Sequence, residues 1–169
     1  FKSRKINIAI FEGLIHDIDY YQRNNLIPII NNVYQFKKII KFNSINKEKQ
    51  FKGILNVDTG MNRLGFEEDE LLSLNNLKEF ITCENFIYVM SHLSNANDPN
   101  DKQNLHQLNK LLTFKNNLKN TKFSLANTNG ILLGNSYILD QTRPGVGIYG
   151  IDANGYKITL NDKKLNFPF

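Results

Sequence analysis

Cysteine is scarce in this chain, since Cys83 is the only one among 169 residues. A single cysteine cannot form a disulfide within the chain, which favours a reducing compartment and predicts a cytoplasmic protein. Long hydrophobic runs are lacking as well. No stretch approaches the roughly 18 consecutive apolar residues of a membrane-spanning helix. We therefore expect no association with a membrane.

Patterns that bind metals, nucleotides or nucleic acids are also missing. The three histidines and the one cysteine are scattered, so no zinc or iron site is predicted. The sequence contains no P-loop, no dinucleotide-binding fingerprint and no serine-nucleophile elbow. A net charge of +5 without a nucleic-acid-binding motif gives no reason to expect a nucleic-acid partner.

What the chain does contain is a series of short β-type runs. Hydrophobic residues make up 41% of it, with 12 Phe and 7 Tyr, which is enough to bury a core. Several runs are almost continuously apolar, as in strands buried on both faces of a parallel sheet. The six predicted strands are Ile6–Phe11, Leu26–Ile30, Phe51–Val57, Phe86–Met90, Thr121–Leu125 and a run near Ile148–Tyr149.

Segments at helical spacing separate these strands. The three apolar stripes are Val33, Phe36, Ile39 and Ile40; Leu71, Leu74, Leu77 and Ile81; and Leu105, Leu108, Leu111, Leu112 and Leu118. Alternating strands and helices predict a parallel α/β sheet, either a doubly wound open sheet or a (β/α)8 barrel. In both folds, functional residues follow the carboxyl ends of the strands. A complete barrel typically needs about 250 residues, so this chain is short for one.

Two of these strand ends carry basic side chains. The third run is followed by DTGMNRLGF (58–66), where Arg63 stands between two glycines and could clamp a carboxylate or a phosphate. A surface salt bridge is the alternative role for this arginine. The fourth run is followed by SHLSNAND (91–98), in which His92 leaves the core among polar residues. We interpret His92 as a functional residue.

The last two strand ends suggest an anion site. LANTNG (125–130) places Thr128 where it could either cap a helix or help to bind an anion. RPGVGIYG (143–150) supplies Arg143 and three glycines whose amides could closely approach a ligand. Together with Arg63 and His92, these residues predict a ligand or cofactor that carries a phosphate.

These four motifs, in this order, resemble the alanine racemase family, and FEGL (11–14) falls at a matching strand end. The resemblance implies an enzyme that interconverts L-alanine and D-alanine for cell-wall peptidoglycan, with pyridoxal 5'-phosphate as cofactor. It also implies that residues 1–150 form an incomplete (β/α)8 TIM-type barrel, strands three to eight of the family's N-terminal domain. Residues 151–169 would then begin the connection to a C-terminal β-domain.

The resemblance also assigns roles to individual residues. Arg143 matches the arginine that faces the cofactor's pyridine nitrogen, and His92 matches the residue that packs on the ring and bonds to that arginine. Arg63 matches the group that contacts the substrate carboxylate and the cofactor's phenolic oxygen. Many family members have a carbamylated lysine at the position of Asn56. Asparagine cannot form a carbamate, so a bound anion or a different hydrogen bond would have to orient Arg63.

The resemblance places the cofactor phosphate on Thr128 and on the amides of Gly145 and Val146. The family's Schiff-base lysine motif and its catalytic tyrosine, which the partner subunit supplies, do not occur here. We therefore expect this chain to be inactive alone and functional only within a full-length homodimer. The alternatives are a degenerate or truncated product that retains cofactor binding, and a related barrel that acts on another amino acid.

Overall fold

The computed structural model describes residues 6–73, 81, 85–118, 120–151, 154, 159–160 and 163–164. Strands and helices alternate along most of this length. The elements are β1 (Ile8–Ile10), α1 (Ile18–Asn24), β2 (Leu26–Ile30), α2 (Val33–Ile45), β3 (Gly53–Asn56), α3 (Glu68–Ser73), β4 (Phe86–Met90), α4 (Lys102–Asn117), β5 (Phe123–Ser124), α5 (Thr128–Leu132), two 3-10 helices (Asn135–Tyr137 and Val146–Tyr149), β6 (Thr159–Leu160) and β7 (Lys163–Lys164).

The first five strands form one parallel sheet in the order β1-β2-β3-β4-β5. Each strand pairs with the next one in the chain, which is the path of a barrel wall and not of a doubly wound sheet. The described sheet is not closed, because β1 and β5 are its two edges. The predicted parallel α/β fold is confirmed. β6 and β7 form a separate antiparallel pair.

Residues on the strands alternate between two buried faces. Leu55 and Val89 belong to the larger core cluster, whereas Ile54 and Met90 belong to a smaller cluster. Because both faces are covered, the strands read as almost continuous apolar runs. In the larger cluster, Phe36 of α2 stacks on Phe86 at a centroid distance of 5.4 Å.

The stripes that predict α2 and α4 are confirmed. Both helices begin at a capping side chain: the oxygen of Asn32 accepts from the amide of Gln35 at 3.0 Å, and that of Asp101 accepts from Gln103 at 2.8 Å. The stripe from Leu71 to Ile81 begins in α3, but residues 74–80 lie outside the described residues. None of the described helices combines the length and hydrophobicity that crossing a lipid bilayer requires.

The sixth predicted strand, near Ile148–Tyr149, is wrong. These residues lie in a 3-10 helix closed by hydrogen bonds such as Ile148 N–H to the carbonyl of Gly145. Glycine-rich backbone is unfavourable in a strand and suits tight turns. The segment that continues alongside β5 is instead 140–143: Asp140 N–H donates to the Phe123 carbonyl, and Gln141 forms a parallel bridge with Ser124. Residues 140–143 have the polar sequence DQTR, so no apolar pattern predicts this extension.

Candidate functional site

The loops that follow β3 and β4 meet in a small cleft at the carboxyl end of the sheet. Arg63 and His92 line this cleft together with Asn56 and Ser91, and Phe11 after β1 completes it. Arg143 reaches the same place from beyond β5, where its guanidinium bonds to the carbonyl of Ser91. The structure thus brings together the three basic side chains that the sequence singled out.

Arg143 is held by acceptors on two strand ends. Its guanidinium donates to the hydroxyl of Ser124, to the carbonyl of Ser91 and, at 3.3 Å, to the carbonyl of Leu125. These three acceptors are neutral, and burial lowers the pKa of the guanidinium from its ordinary value. The positive charge of Arg143 is therefore not balanced by any of these acceptors.

His92 lies beside Asn127, with its Nε2 3.4 Å from the Asn127 amide nitrogen. Asn127 uses its oxygen to accept from the Gly130 amide at 2.8 Å, so its NH2 group faces the imidazole. His92 Nε2 is then an acceptor and the ring proton sits on Nδ1. Burial, followed by the charges of Arg143 and Arg63, lowers the pKa of His92 to about 4. His92 is therefore neutral at pH 7.

The buried residue Gln107 of α4 fixes the backbone around His92. Its side-chain nitrogen donates to the carbonyl of His92 at 2.9 Å and to the hydroxyl of Thr59 at 3.4 Å. Its side-chain oxygen accepts from the amide and the hydroxyl of Ser94. The nitrogen and the oxygen of this side-chain amide therefore both bond to the loops after β3 and β4.

Thr128 joins the start of α5 to the glycine-rich segment. Its hydroxyl accepts from the amides of Gly145 and Gly147, both at 3.0 Å, and the residue is 5% exposed. A Cβ atom at Gly147 would come within 2.8 Å of the Thr128 side chain, so glycine is required for this approach. The resemblance assigns the phosphate to the amides of Gly145 and Val146, and Val146 lies between the two glycines whose amides contact Thr128.

The loop that carries Arg63 is closed around Asp58. The Asp58 carboxylate accepts from the amides of Gly60 at 2.7 Å, Met61 at 2.9 Å and Arg63 at 3.1 Å. Burial raises the pKa of Asp58, but these backbone donors outweigh it and leave the pKa below its ordinary value. The Arg63 side chain is exposed, and its guanidinium lies 5.1 Å from the centroid of the Phe11 ring.

Asn56 stands at the end of β3, behind this loop. It is 3% exposed, and its side-chain nitrogen donates to Asn31 Oδ1 at 2.8 Å and to the Leu64 carbonyl at 3.0 Å. These two hydrogen bonds hold the loop that carries Arg63 at its backbone. Asn31 did not stand out in the sequence, because an asparagine after a strand is common in turns.

Comparison with known proteins identifies the family. The family model described as "Alanine racemase, N-terminal domain" matches residues 3–153. The chain belongs to the alanine racemase family. It is 38% identical over 152 residues to the alanine racemase of Rickettsia bellii, covering 89% of this chain and 37% of the relative. With that of Rickettsia rickettsii it shares 35% over 164 residues, or 96% of this chain and 45% of the relative. It thus spans less than half the length of these relatives.

Solved alanine racemase structures share the fold. The enzyme of Bartonella henselae, solved with covalently bound pyridoxal phosphate, superposes with a TM-score of 0.77 at 32% sequence identity. The superposition covers 92% of this chain and 45% of the Bartonella chain. The Acinetobacter baumannii alanine racemase aligns with a TM-score of 0.72 at 23% identity, over 86% and 41% of the two chains. The alanine racemase family consists of isomerases that depend on pyridoxal phosphate.

Proposed function

We propose that this chain supplies the cofactor-binding and substrate-binding residues of an alanine racemase. The observation that carries the proposal is that Arg63, His92 and Arg143 come together at the carboxyl end of a parallel sheet. This is where α/β barrels build their active sites. An interconversion of L-alanine and D-alanine, with D-alanine going to peptidoglycan, fits a chain that belongs to this family.

The residues present fit pyridoxal phosphate. The Thr128 hydroxyl accepts two amide protons and keeps its own hydrogen to donate, which suits a phosphate oxygen. A Cβ atom built on Gly145 would meet nothing within 4 Å, so space is open beside this turn. We assign the phosphate to Thr128, Gly145 and Val146. The Gly145 amide bonds to the Thr128 hydroxyl in this structure and would turn to the phosphate, while the Gly147 amide keeps the Thr128 hydroxyl in place. When bound, pyridoxal phosphate withdraws electrons from the substrate and makes the hydrogen on its α-carbon acidic.

The three basic residues would then take separate roles. Arg143, charged and held by neutral acceptors, would face the pyridine nitrogen and keep that nitrogen unprotonated, because a guanidinium does not readily give up its proton. Neutral His92 would pack against the ring without adding a third positive charge. Exposed Arg63 would bind the substrate carboxylate and contact the cofactor's phenolic oxygen.

Several finer points belong to the same proposal. The five parallel strands and the segment 140–143 would take the places of barrel strands three to eight within residues 1–150, and residues 151–169 would lead to a C-terminal β-domain. The full-length enzyme would be a cytoplasmic homodimer. Because the chain carries neither the lysine motif nor the tyrosine that the family resemblance calls for, we expect residues 1–169 alone to racemise nothing.

The test compares residues 1–169 with the complete product of the gene from which this chain comes. Each would be incubated in D2O with pyridoxal phosphate and L-alanine, and loss of the α-proton signal and formation of D-alanine would be followed by NMR and chiral chromatography. We expect both changes with the complete product and neither with residues 1–169. L-Serine run in parallel tests the related-barrel alternative. Cofactor binding by the complete product without α-proton exchange would support the degenerate alternative and contradict the proposal.

A further inference from the structure

Two buried asparagine side chains, Asn31 and Asn56, connect three strand ends at the site. Asn56 Nδ2 donates to Asn31 Oδ1 at 2.8 Å and to the Leu64 carbonyl at 3.0 Å. Asn31 Nδ2 in turn donates to the carbonyls of Phe11 at 2.8 Å and Ile29 at 3.0 Å. Asn31 is 7% exposed and Asn56 is 3% exposed. The pair therefore links the loop of residues 58–66 to the segment after β1.

The orientation of both amides is fixed by their backbone partners. Carbonyl oxygens only accept, so the NH2 group of Asn31 must face Phe11 and that of Asn56 must face Leu64. The oxygen of Asn31 is then the group that meets Asn56. Turning either amide over would place oxygen against oxygen in a buried setting, which is costly. The two side chains form a chain of donors with a single allowed direction.

Both ends of this chain of hydrogen bonds lead to Arg63. Leu64 is its neighbour in sequence, so Asn56 holds the backbone from which the arginine side chain starts. Phe11 carries the ring over which the guanidinium lies, so Asn31 holds the surface on which that side chain rests. Gly65 adds to the close fit, since a Cβ atom there would lie 3.1 Å from Asn56 Nδ2.

We propose that Asn31 and Asn56 are positioning residues for Arg63. They set where its guanidinium meets the substrate carboxylate, acting through the Leu64 backbone and the Phe11 ring. The inference rests on the proposed function, in which Arg63 binds that carboxylate. It extends that function, because two residues that do not contact the ligand would determine where the substrate carboxylate binds.

Asn43 provides a matched control. It is 6% exposed, its nitrogen donates to the Phe51 carbonyl at 2.9 Å and to Asn85 Oδ1 at 2.7 Å, and its oxygen accepts from the Phe51 amide. Phe51 precedes β3 and Asn85 precedes β4, so this similar buried asparagine serves the amino ends of the strands. If Asn31 contributed only to the stability of the fold, its replacement should have the same effects as the replacement of Asn43.

The experiment uses Asn31→Leu, Asn56→Leu and Asn43→Leu in the complete gene product, with Arg63→Ala as reference. Propionate, a carboxylate without the amino group, is titrated calorimetrically into each protein. We expect the Asn31 and Asn56 variants to bind propionate about tenfold more weakly and the Asn43 variant to stay within about twofold, although all three lose stability. KM for L-alanine should rise in parallel, with a smaller change in kcat.

Hydrogen exchange of residues 60–66, measured by mass spectrometry without ligand, gives a second readout. Faster exchange in the Asn31→Leu protein than in the Asn43→Leu protein supports positioning, and equal exchange overturns it. The double variant of Asn31 and Asn56 should weaken propionate binding by less than the product of the two single effects, because the two side chains share one hydrogen bond. If Asn31→Leu does not fold, Asn31→Ser and Asn43→Ser give the same comparison.

Failure of the proposed function would look different. If Arg63→Ala binds propionate as tightly as the unaltered protein, Arg63 does not hold the carboxylate and that part of the proposed function fails. The exchange rates of residues 60–66 would still decide whether the two asparagines hold the loop. Equal propionate affinities in the Asn31 and Asn43 variants, with Arg63→Ala weakened, would overturn the positioning role alone.

Discussion

The hydroxyl of Thr128 joins two segments of the fold and, in the proposed function, binds the cofactor phosphate. A single substitution can remove this hydroxyl and keep the shape of the side chain. Thr128→Val keeps the volume of the side chain but removes the oxygen that accepts from the Gly145 and Gly147 amides at 3.0 Å each. A typical hydrogen bond contributes about 0.5–1.5 kcal/mol to stability, so two give about 1–3 kcal/mol. Gly145 is exposed and its amide can bond to water instead. We therefore expect a loss of about 1–2 kcal/mol in the free energy of unfolding.

The same substitution removes the O–H group that we assign to the cofactor phosphate. A hydrogen bond to a charged group contributes about 1.5–3 kcal/mol, which corresponds to roughly a 10-fold to 150-fold loss of affinity. The informative comparison is between pyridoxal phosphate and pyridoxal, which lacks the phosphate. Thr128→Val in the complete gene product should bind pyridoxal phosphate more weakly and pyridoxal unchanged.

Absorbance titration with each ligand, together with urea unfolding of the apoprotein, measures both effects. Thr128→Ser is the matched control, because it keeps the hydroxyl and should retain most of the phosphate affinity. If Thr128→Val loses stability but binds pyridoxal phosphate as tightly as the unaltered protein, Thr128 only joins two segments of the fold. The assignment of the phosphate to this residue would then be refuted.

Three further outcomes are expected for the complete gene product. Gly65→Ala should lower the free energy of unfolding by about 1–3 kcal/mol in urea denaturation, because Gly65 has a φ of +118° and a Cβ atom there would lie 2.9 Å from the Asp58 amide nitrogen; unchanged stability would contradict this. The pKa of His92 is lowered to about 4 in the folded protein, whereas an unfolded histidine has a pKa of about 6.5. Between these two values the unfolded chain binds more protons than the folded one, so the free energy of unfolding should fall by about 1–2 kcal/mol between pH 7 and pH 5. His92→Gln should reduce that loss, measured by urea titration at both pH values. Arg143→Met should lower the free energy of unfolding by about 2–4 kcal/mol, because two carbonyls and a hydroxyl lose the guanidinium that donates to them. A thermal unfolding midpoint within a degree of that of the unaltered protein would argue against these hydrogen bonds.

The fold could be predicted to the extent that burial on both faces imposes apolar runs. Leu26–Ile30 and Phe86–Met90 were recovered with the bounds that the structure gives, because covered strands carry an unbroken signal. The continuation at residues 140–143 could not be found this way. Its bonds to β5 are made by the backbone and by Asp140, whose side chain accepts from the Phe123 amide at 2.8 Å. A polar segment that pairs through its backbone has no apolar pattern from which a strand could be predicted.

The candidate site shows a similar division. Arg63, His92, Thr128 and Arg143 could be selected because they lie in the segments that follow the predicted strands, where α/β folds place functional residues. Their supports could not be selected. Gln107 lies in the middle of α4, where a glutamine is an ordinary helix residue, and only the fold places it behind His92 and Thr59. Residues that act through hydrogen bonds to distant loops carry no local sequence signal.

The two arginines at the site are not paired with a carboxylate among the residues that the structure describes. Asp58 also lines the cleft, but its carboxylate is occupied by backbone amides of its own loop. Arg143 is bonded to neutral acceptors, and Arg63 lies over an aromatic ring. His92 is kept neutral, in part by those two arginines. Two positive charges that local carboxylates do not neutralise raise the affinity of the site for anionic groups, and under the proposed function Arg63 would use this for the substrate carboxylate.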